Sequence, residues 1–364
     1  MKKILAVALS VLLLLSCCAL GASAAGNAAA GTTGEFTVFC QNVAGLPDIS
    51  FLTGGEAKDV VGNQLAIAAY VEANEYDIFA VQEDFSYHAD LAGALPSYAY
   101  QTLHHGGVPV GDGTNIYTRD FPMYNEKHIP WNTLYGLIND GADEFSQKGI
   151  TYCCIEVADG VLIDFYNVHA DAYDGEGSRA ARLDNYNQLR DLINARTVDR
   201  PVIITGDFNE YFFGGYHNLR EIFCNDMGMK DSWIELYNGG NYNDCSAFEK
   251  EMNSQGIARW GNWDSVERFI YKDGGGISLE CDSFEYVKIN NASGVACSDH
   301  SGCAGSFTFT VNTATDTSSD KLNEGSGSSA LEELIRRIVD FFKALMLVFG
   351  NFDQIFADLK GYLN

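Results

Sequence analysis

Pro201-Val202-Ile203-Ile204-Thr205-Gly206-Asp207-Phe208-Asn209 is an apolar run that stops abruptly at an acid and an amide. The β-branched residues Val202 to Thr205 read as a strand buried on both faces. Their polar stop puts Asp207 and Asn209 at a sheet's carboxyl edge, where ligands of α/β proteins bind. Taken alone, Gly-Asp-x-Asn is also a good turn sequence. Three other strand-like runs end the same way, at Gln41-Asn42, Gln82-Glu83 and Asn167-Val168-His169. Ser298-Asp299-His300 stands just before the last apolar run. Clusters of Asn, Asp, Glu and His repeated at strand ends predict one assembled site.

Further strands are predicted at Glu35 to Phe39, Asp77 to Val81, Asn115 to Thr118, Ile150 to Val157, Val161 to Asn167, Val266 to Tyr271, Cys281 to Val287 and Ser306 to Val311. Helices fit Gly62 to Asn74, burying Leu65, Ile67, Ala68 and Val71, and Tyr87 to Leu95. A longer one fits Ser178 to Ala195, with Leu183, Tyr186, Leu189 and Leu192 on one stripe, and another lies near Leu219 to Cys224. Strands outnumber helices and the helices are scattered. That pattern suits two packed sheets with helices outside, not a doubly wound sheet with one helix per strand.

The start of the chain predicts export. Met1-Lys2-Lys3 is followed by an apolar stretch from Ile4 to Leu15 and an Ala22-Ser23-Ala24 cleavage site, so residues 1–25 read as a signal peptide rather than a membrane span. Leu15-Ser16-Cys17 offers a lipoprotein site as the alternative. Residues 26–34 read as a small-residue leader without order. The catalytic domain is expected at 35–312, a flexible Ser/Thr/Gly-rich linker at 313–329, and an amphipathic helical tail at 330–364. In that tail Leu331, Leu334, Ile338, Phe341 and Leu345 recur at spacings of three and four.

Of 10 cysteines, Cys17 and Cys18 leave with the signal. The rest either pair outside the cell or stay as buried thiols, and both readings stand on sequence alone. The formal net charge of −26 lacks the broad basic face that duplex nucleic acid demands, which counts against a nonspecific nuclease. It suits a site that holds a cation.

Asn42 and Glu83 are hard oxygen ligands, suited to Mg²⁺. Asp207 can accept a proton from an attacking water, and Asn209 can orient that water or a phosphate oxygen. His169 and His300 can donate to phosphoryl oxygens or protonate a leaving group if carboxylates keep them positive. With these residues in this order, the sequence resembles the endonuclease/exonuclease/phosphatase superfamily, the DNase I-like phosphoesterases. The resembling motifs are Gln41-Asn42-Val43, Val81-Gln82-Glu83, Tyr117-Thr118-Arg119-Asp120-Phe121-Pro122, Asn167-Val168-His169, Gly206-Asp207-Phe208-Asn209 and Ser298-Asp299-His300.

The resemblance implies a four-layer α/β/β/α sandwich of two mixed sheets, and metal-dependent phosphoester hydrolysis with Mg²⁺ or another divalent cation such as Mn²⁺. It implies Asn42, Glu83 and Asp299 as metal residues, His169, Asp207, Asn209 and His300 as catalytic residues, and Asn115, Tyr117 and Arg119 on the substrate side. The family's late acidic partner of the last histidine falls on Glu267, one methylene longer than the usual aspartate, with Asp264 as the alternative. Gln147-Lys148-Gly149, Asn167-Val168-His169-Ala170-Asp171-Ala172 and Val81-Gln82-Glu83-Asp84-Phe85 are similar to the bacterial sphingomyelinase-like branch. The implied substrate is a phosphodiester, a membrane phospholipid before a nucleic acid. Asn290 to Ser298 lacks the aromatic hairpin of that branch, so the tail reads either as a peripheral membrane contact in its place or as a helix that packs on the domain or on a second copy of itself.

Overall fold

The computed structural model describes residues 26–48, 58–105, 111–137, 143–214, 216–318, 320 and 322. The expected signal peptide and the amphipathic tail lie outside these residues.

Twelve strands form two six-stranded sheets. In one the order is β11(Ile277–Val287), β12(Gly302–Val311), β1(Thr33–Asn42), β2(Ile78–Gln82), β4(Asn115–Thr118), β3(Tyr100–Gln101). The other runs β5(Met123–Pro130), β6(Gly149–Ala158), β7(Val161–His169), β8(Val202–Asp207), β10(Glu267–Lys272), β9(Lys230–Asp231). Each sheet has a central parallel pair, β1 with β2 and β7 with β8. This is the expected sandwich of two mixed sheets.

Period-two alternation explains the layering. Along β1 and β2, Phe36, Val38, Cys40, Ile78 and Ala80 join the large core that also contains β6 to β8 residues. Phe39, Phe79 and Val81 join a second core with Ile67, Ala68 and Val71 of α1(Val60–Asn74) and Leu91 of α2(His88–Gly93). On the other sheet, Tyr186, Leu189 and Ile193 of α3(Glu176–Asn194) close the outer layer. Strands covered on both faces must be apolar on both, which is why β8 reads as a continuous run.

The helices bury most of the residues that the periodicity selects, Ile67, Ala68 and Val71 on α1 and Tyr186 and Leu189 on α3, with one exception on each. On α1, Leu65 is exposed, while Gln64 is buried with its Nε2 donating to the Val43 carbonyl at 2.7 Å. On α3, Leu183 is exposed and Arg182 is buried, donating to the carbonyls of Asp171 and Tyr173. In both cases a polar side chain sits inside because it satisfies backbone groups of the loops below it, the condition for burying it. Arg220–Asp226 is a π-helical turn where an α-helix was expected. β5 escapes a periodicity search because it is a polar edge strand with a register shift between Tyr124 and Lys127.

Residues 26–32 are not a loose leader. The amide of Ala28 donates to Thr315 Oγ1 at 3.0 Å and Thr317 Oγ1 donates to the Gly26 carbonyl at 2.8 Å. The start of the expected linker is therefore sewn onto the domain.

Gly206 holds the two halves of the second sheet in register. Its φ is +135°, and a Cβ there would lie 2.0 Å from the Val168 carbonyl oxygen. Only glycine fits, one residue before Asp207 and one before His169 on the paired strand.

Candidate active site

Strand direction assembles the site. The carboxyl ends of β1, β2, β7 and β8 carry Asn42, Gln82-Glu83, His169 and Asp207. β10 is antiparallel to β8, with Glu267 opposite Asp207, so its amino end arrives at the same edge. β12 is antiparallel to β1, with Cys303 opposite Cys40, and this brings the preceding His300 there too. Six separate chain segments thus meet at one rim.

Asp207 is at the centre and is buried. Asn42 Nδ2 donates to Asp207 Oδ2 and to Glu83 Oε1, both at 3.1 Å. His169 Nε2 and His300 Nδ1 lie 3.5 and 3.7 Å from the same Asp207 oxygen. The other oxygen, Oδ1, accepts from the Asn209 amide at 2.9 Å. Asn209 has φ +52° and its Nδ2 donates to the Ala170 carbonyl at 2.9 Å, a local turn that ties β8's end to β7's end.

His300 and Glu267 form a close pair, with Nδ1 and Oε1 2.5 Å apart, while Ser265 Oγ donates to Glu267 Oε2 at 2.6 Å. The glutamate reaches the histidine in the place of the family's aspartate. Asp264 is occupied elsewhere, paired with Arg268 and accepting from the amides of Phe212 and Phe213. Burial would lower the His300 pKa, but the charges of Asp207, Glu267 and Asp299 outweigh it and raise it to about 11. His300 is an imidazolium at neutral pH. His169 differs: burial, then the charges of Lys148 and His300, hold it well below its ordinary value. It is a neutral donor or acceptor, so the condition of a carboxylate-held positive charge is met at His300 and not at His169.

Lys148 was legible only as part of a segment. Its ammonium is buried and paired with Asp143. Burial opposes its charge, but Asp143, Glu83 and Asp207 together raise its pKa. It is a fixed cation behind the acidic cluster, and an isolated lysine ahead of a strand carries no sequence signal for that. Trp131 was also unforeseen; its Nε1 donates to the His169 carbonyl at 2.6 Å.

The substrate-side residues need correction. Arg119 lies at the far end of its sheet, because β4 is antiparallel to β2 and the Arg119 amide donates to Asp77, at the amino end of β2. Its guanidinium reaches Glu75. Tyr117 is buried against Phe79, with its hydroxyl on Asp84 at 3.2 Å. Asn115 donates to Asp84 at 2.9 Å and is fully buried. The open cleft, about 390 Å³, is instead lined by Asn209, Asp299 and His300 together with Tyr173, Asp174, Tyr211 and Trp260.

Residues 41–314 match the Endonuclease/Exonuclease/phosphatase family. The chain belongs to that family. A sphingomyelinase of Mycobacterium bovis (strain ATCC BAA-935 / AF2122/97) is 25% identical over 288 residues, which is 76% of this chain and 53% of the relative. The chain thus spans about half the length of the curated relatives it matches. Among solved structures, D. rerio TDP2 complexed with single strand DNA product is similar with a TM-score of 0.55 at 14% identity, over 75% of this chain and 99% of that one. A beta toxin from Staphylococcus aureus is similar with a TM-score of 0.51 at 16% identity, over 74% of this chain and 99% of that one. The likeness to these two structures is one of fold.

The family's site poses a question of fit for a divalent cation. Glu83 has φ +56°, and among the described residues its carboxylate has one hydrogen-bond donor, Asn42. Burial pushes its pKa up, Lys148, Asn42 and His300 pull it down, and the neighbouring Asp299 pushes it up again. An acid that is strained, desolvated and beside a second acid fits a hard cation held through oxygen. Glu83 and Asp299 are the residues that would hold it. Asn42 is a donor between two carboxylates here, and its Oδ1 accepts from the Ala44 amide at 3.0 Å. That assignment differs from an oxygen ligand: Asn42 aligns the acids.

Replacing Glu83 with Gln tests the fit. Glu83→Gln keeps the shape and removes the anionic oxygen, so the Mg²⁺ concentration for half-maximal activity rises by about 10–100-fold and higher Mg²⁺ restores part of the rate. Activity insensitive to metal concentration in both proteins would make Glu83 structural.

Proposed function

We propose that the chain is an exported, divalent-cation-dependent phosphodiesterase that hydrolyses a membrane phospholipid such as sphingomyelin. The observation that carries this reading is the aromatic lining of the cleft that also holds His300. Tyr211 and Trp260 pack with ring centroids 4.3 Å apart, Trp260 is 50% exposed, and Tyr173 and Asp174 stand beside them. Aromatic faces next to a carboxylate suit a quaternary ammonium, whose attraction to such a ring is worth roughly 0.5–2 kcal/mol. The phosphate of a choline phosphodiester seated there lies toward His300 and Asn209. The sphingomyelinase relatives and the acidic charge support the same reading.

In the reaction, Asp207 accepts the proton of the attacking water. Asn209, fixed by Ala170, orients that water or a phosphoryl oxygen. His300, held positive by Glu267, donates to the developing charge on the phosphoryl group and gives its proton to the ester oxygen that leaves as its bond to phosphorus breaks, and the neutral His169 hydrogen-bonds a second oxygen. A bound divalent cation supplies Lewis-acid charge stabilisation at the phosphate. Lys148 balances the acids from behind.

The same exposed rings favour one other reading, since bases of single-stranded nucleic acid stack on such side chains. Vesicles of sphingomyelin or phosphatidylcholine, a single-stranded oligonucleotide and plasmid DNA, each with Mg²⁺ and with EDTA, separate the two. Release of phosphocholine that stops with EDTA is the expected result. Cleavage of the oligonucleotide alone would replace the lipid reading with a nuclease, and turnover that survives full chelation would sink the metal-dependent mechanism.

A further inference from the structure

Four of the chain's 7 histidines gather away from the catalytic rim, as two stacked pairs. His105 and His128 stack at 3.6 Å, and His128 is fully engaged: Asp112 meets its Nδ1 at 2.8 Å and Glu126 its Nε2 at 3.0 Å. That pair is an ion-pair cluster complete in itself.

The other pair is not complete. His88 and His104 stack at 3.9 Å with ring planes 7° from parallel. Between them and the catalytic loop sits Asp84, the residue after Glu83, only 1% exposed. Its Oδ2 is crowded, taking His88 Nδ1 at 2.7 Å, Asn115 Nδ2 at 2.9 Å and the Tyr117 hydroxyl at 3.2 Å. Its Oδ1 is buried without any hydrogen-bond partner among the described residues. A buried carboxylate oxygen left without a donor keeps its full desolvation cost, which an ion bound beside it would offset. One ligand atom each from Asp84, His88 and His104 lies within 4.8 Å of the others. Asn115 Nδ2, 3.3 Å from His104 Nδ1 as well as bonded to Asp84, orients two of the three, as groups behind metal ligands do.

We infer that Asp84, His88 and His104 form a second cation site, specific for a borderline divalent ion of the Zn²⁺ class. Two imidazoles and one carboxylate suit Zn²⁺, whereas the oxygen set at Glu83 and Asp299 suits Mg²⁺. Closing on an ion with Zn–N bonds of about 2.0–2.1 Å requires one imidazole to turn out of the stack. Both rings are half-buried and lie at the edge of the fold, not in its core. His88 opens α2 and His104 follows β3, so the ion ties both to the residue beside Glu83. The site stabilises the catalytic loop without touching the substrate.

The test uses the full chain, stripped with chelator and dialysed against Zn²⁺ in a large excess of Mg²⁺, with bound metal measured by mass spectrometry. About one equivalent of Zn²⁺ per chain is expected, raising the melting temperature. His88→Gln with His104→Gln removes it, whereas Glu83→Gln and the pair His105→Gln, His128→Gln retain it. No bound Zn²⁺, an undiminished equivalent in the His88/His104 variant, or its loss in Glu83→Gln would each overturn the assignment. If the double variant does not fold, Co²⁺-loaded wild type decides. Intense visible bands of a four-coordinate site support the inference, and the weak spectrum of a six-coordinate ion overturns it.

Discussion

Asp207→Asn lowers kcat by about 10³–10⁴-fold while the protein still melts cooperatively near the wild-type temperature. The side chain keeps its size and its amide oxygen can still accept from the Asn209 backbone. What disappears is the anion that faces Asn42, His169 and His300 within 3.7 Å, and with it the group able to take a proton from water. Stability is spared because the change removes one of several acids crowded at a buried edge; Glu267 and Asp143 both feel Asp207 as a repulsive neighbour. Single-turnover rates on a phosphodiester beside calorimetric melting give the check. Turnover within tenfold of wild type would move the proton acceptor elsewhere.

His300→Ala is expected to cost about 10³-fold in kcat, the range for losing a charged donor to a phosphoryl group. It leaves Glu267 buried with Ser265 as its remaining donor, so some loss of stability accompanies it. Glu267→Gln separates the two effects. It keeps a hydrogen-bonding group beside Nδ1 but removes the charge, and should cost less than His300→Ala because it acts through the histidine. In the double variant the losses should not add, since a positioning group has nothing to position once the ring is gone. Additive losses would mean that Glu267 serves the reaction separately from His300.

Much of this was legible in the chain. Buried strands on both faces must be apolar on both, so their carboxyl-edge stops stand out; Asn42, Glu83, His169 and Asp207 were found as such stops, and His300 as the polar cluster just before the last strand. The order of these motifs also carried the family, because each segment keeps its own strand whatever its neighbours are. Local signals failed where a side chain's surroundings come from distant segments. Arg119 is four residues beyond the start of β4 at Asn115, which faces the rim, yet the antiparallel run of β4 carries it to the opposite edge. Periodicity placed Leu65 and Leu183 inside their helices, but the loops beneath offered carbonyls that Gln64 and Arg182 could satisfy.

The sequence by itself determined which residues end the strands, the mixed sandwich that the elements build, and the acid opposite the last histidine as far as two candidates. Only the tertiary structure chose Glu267 over Asp264, because Arg268 turns Asp264 away while the β8–β10 register sets Glu267 beside Asp207. It alone made His300 charged and His169 neutral, since a pKa depends on burial and on charges from other strands. It alone brought Lys148 behind the acids and His88 to His104. Strand ends are written in local patterns of polarity, whereas electrostatics is a sum over neighbours that only folding supplies.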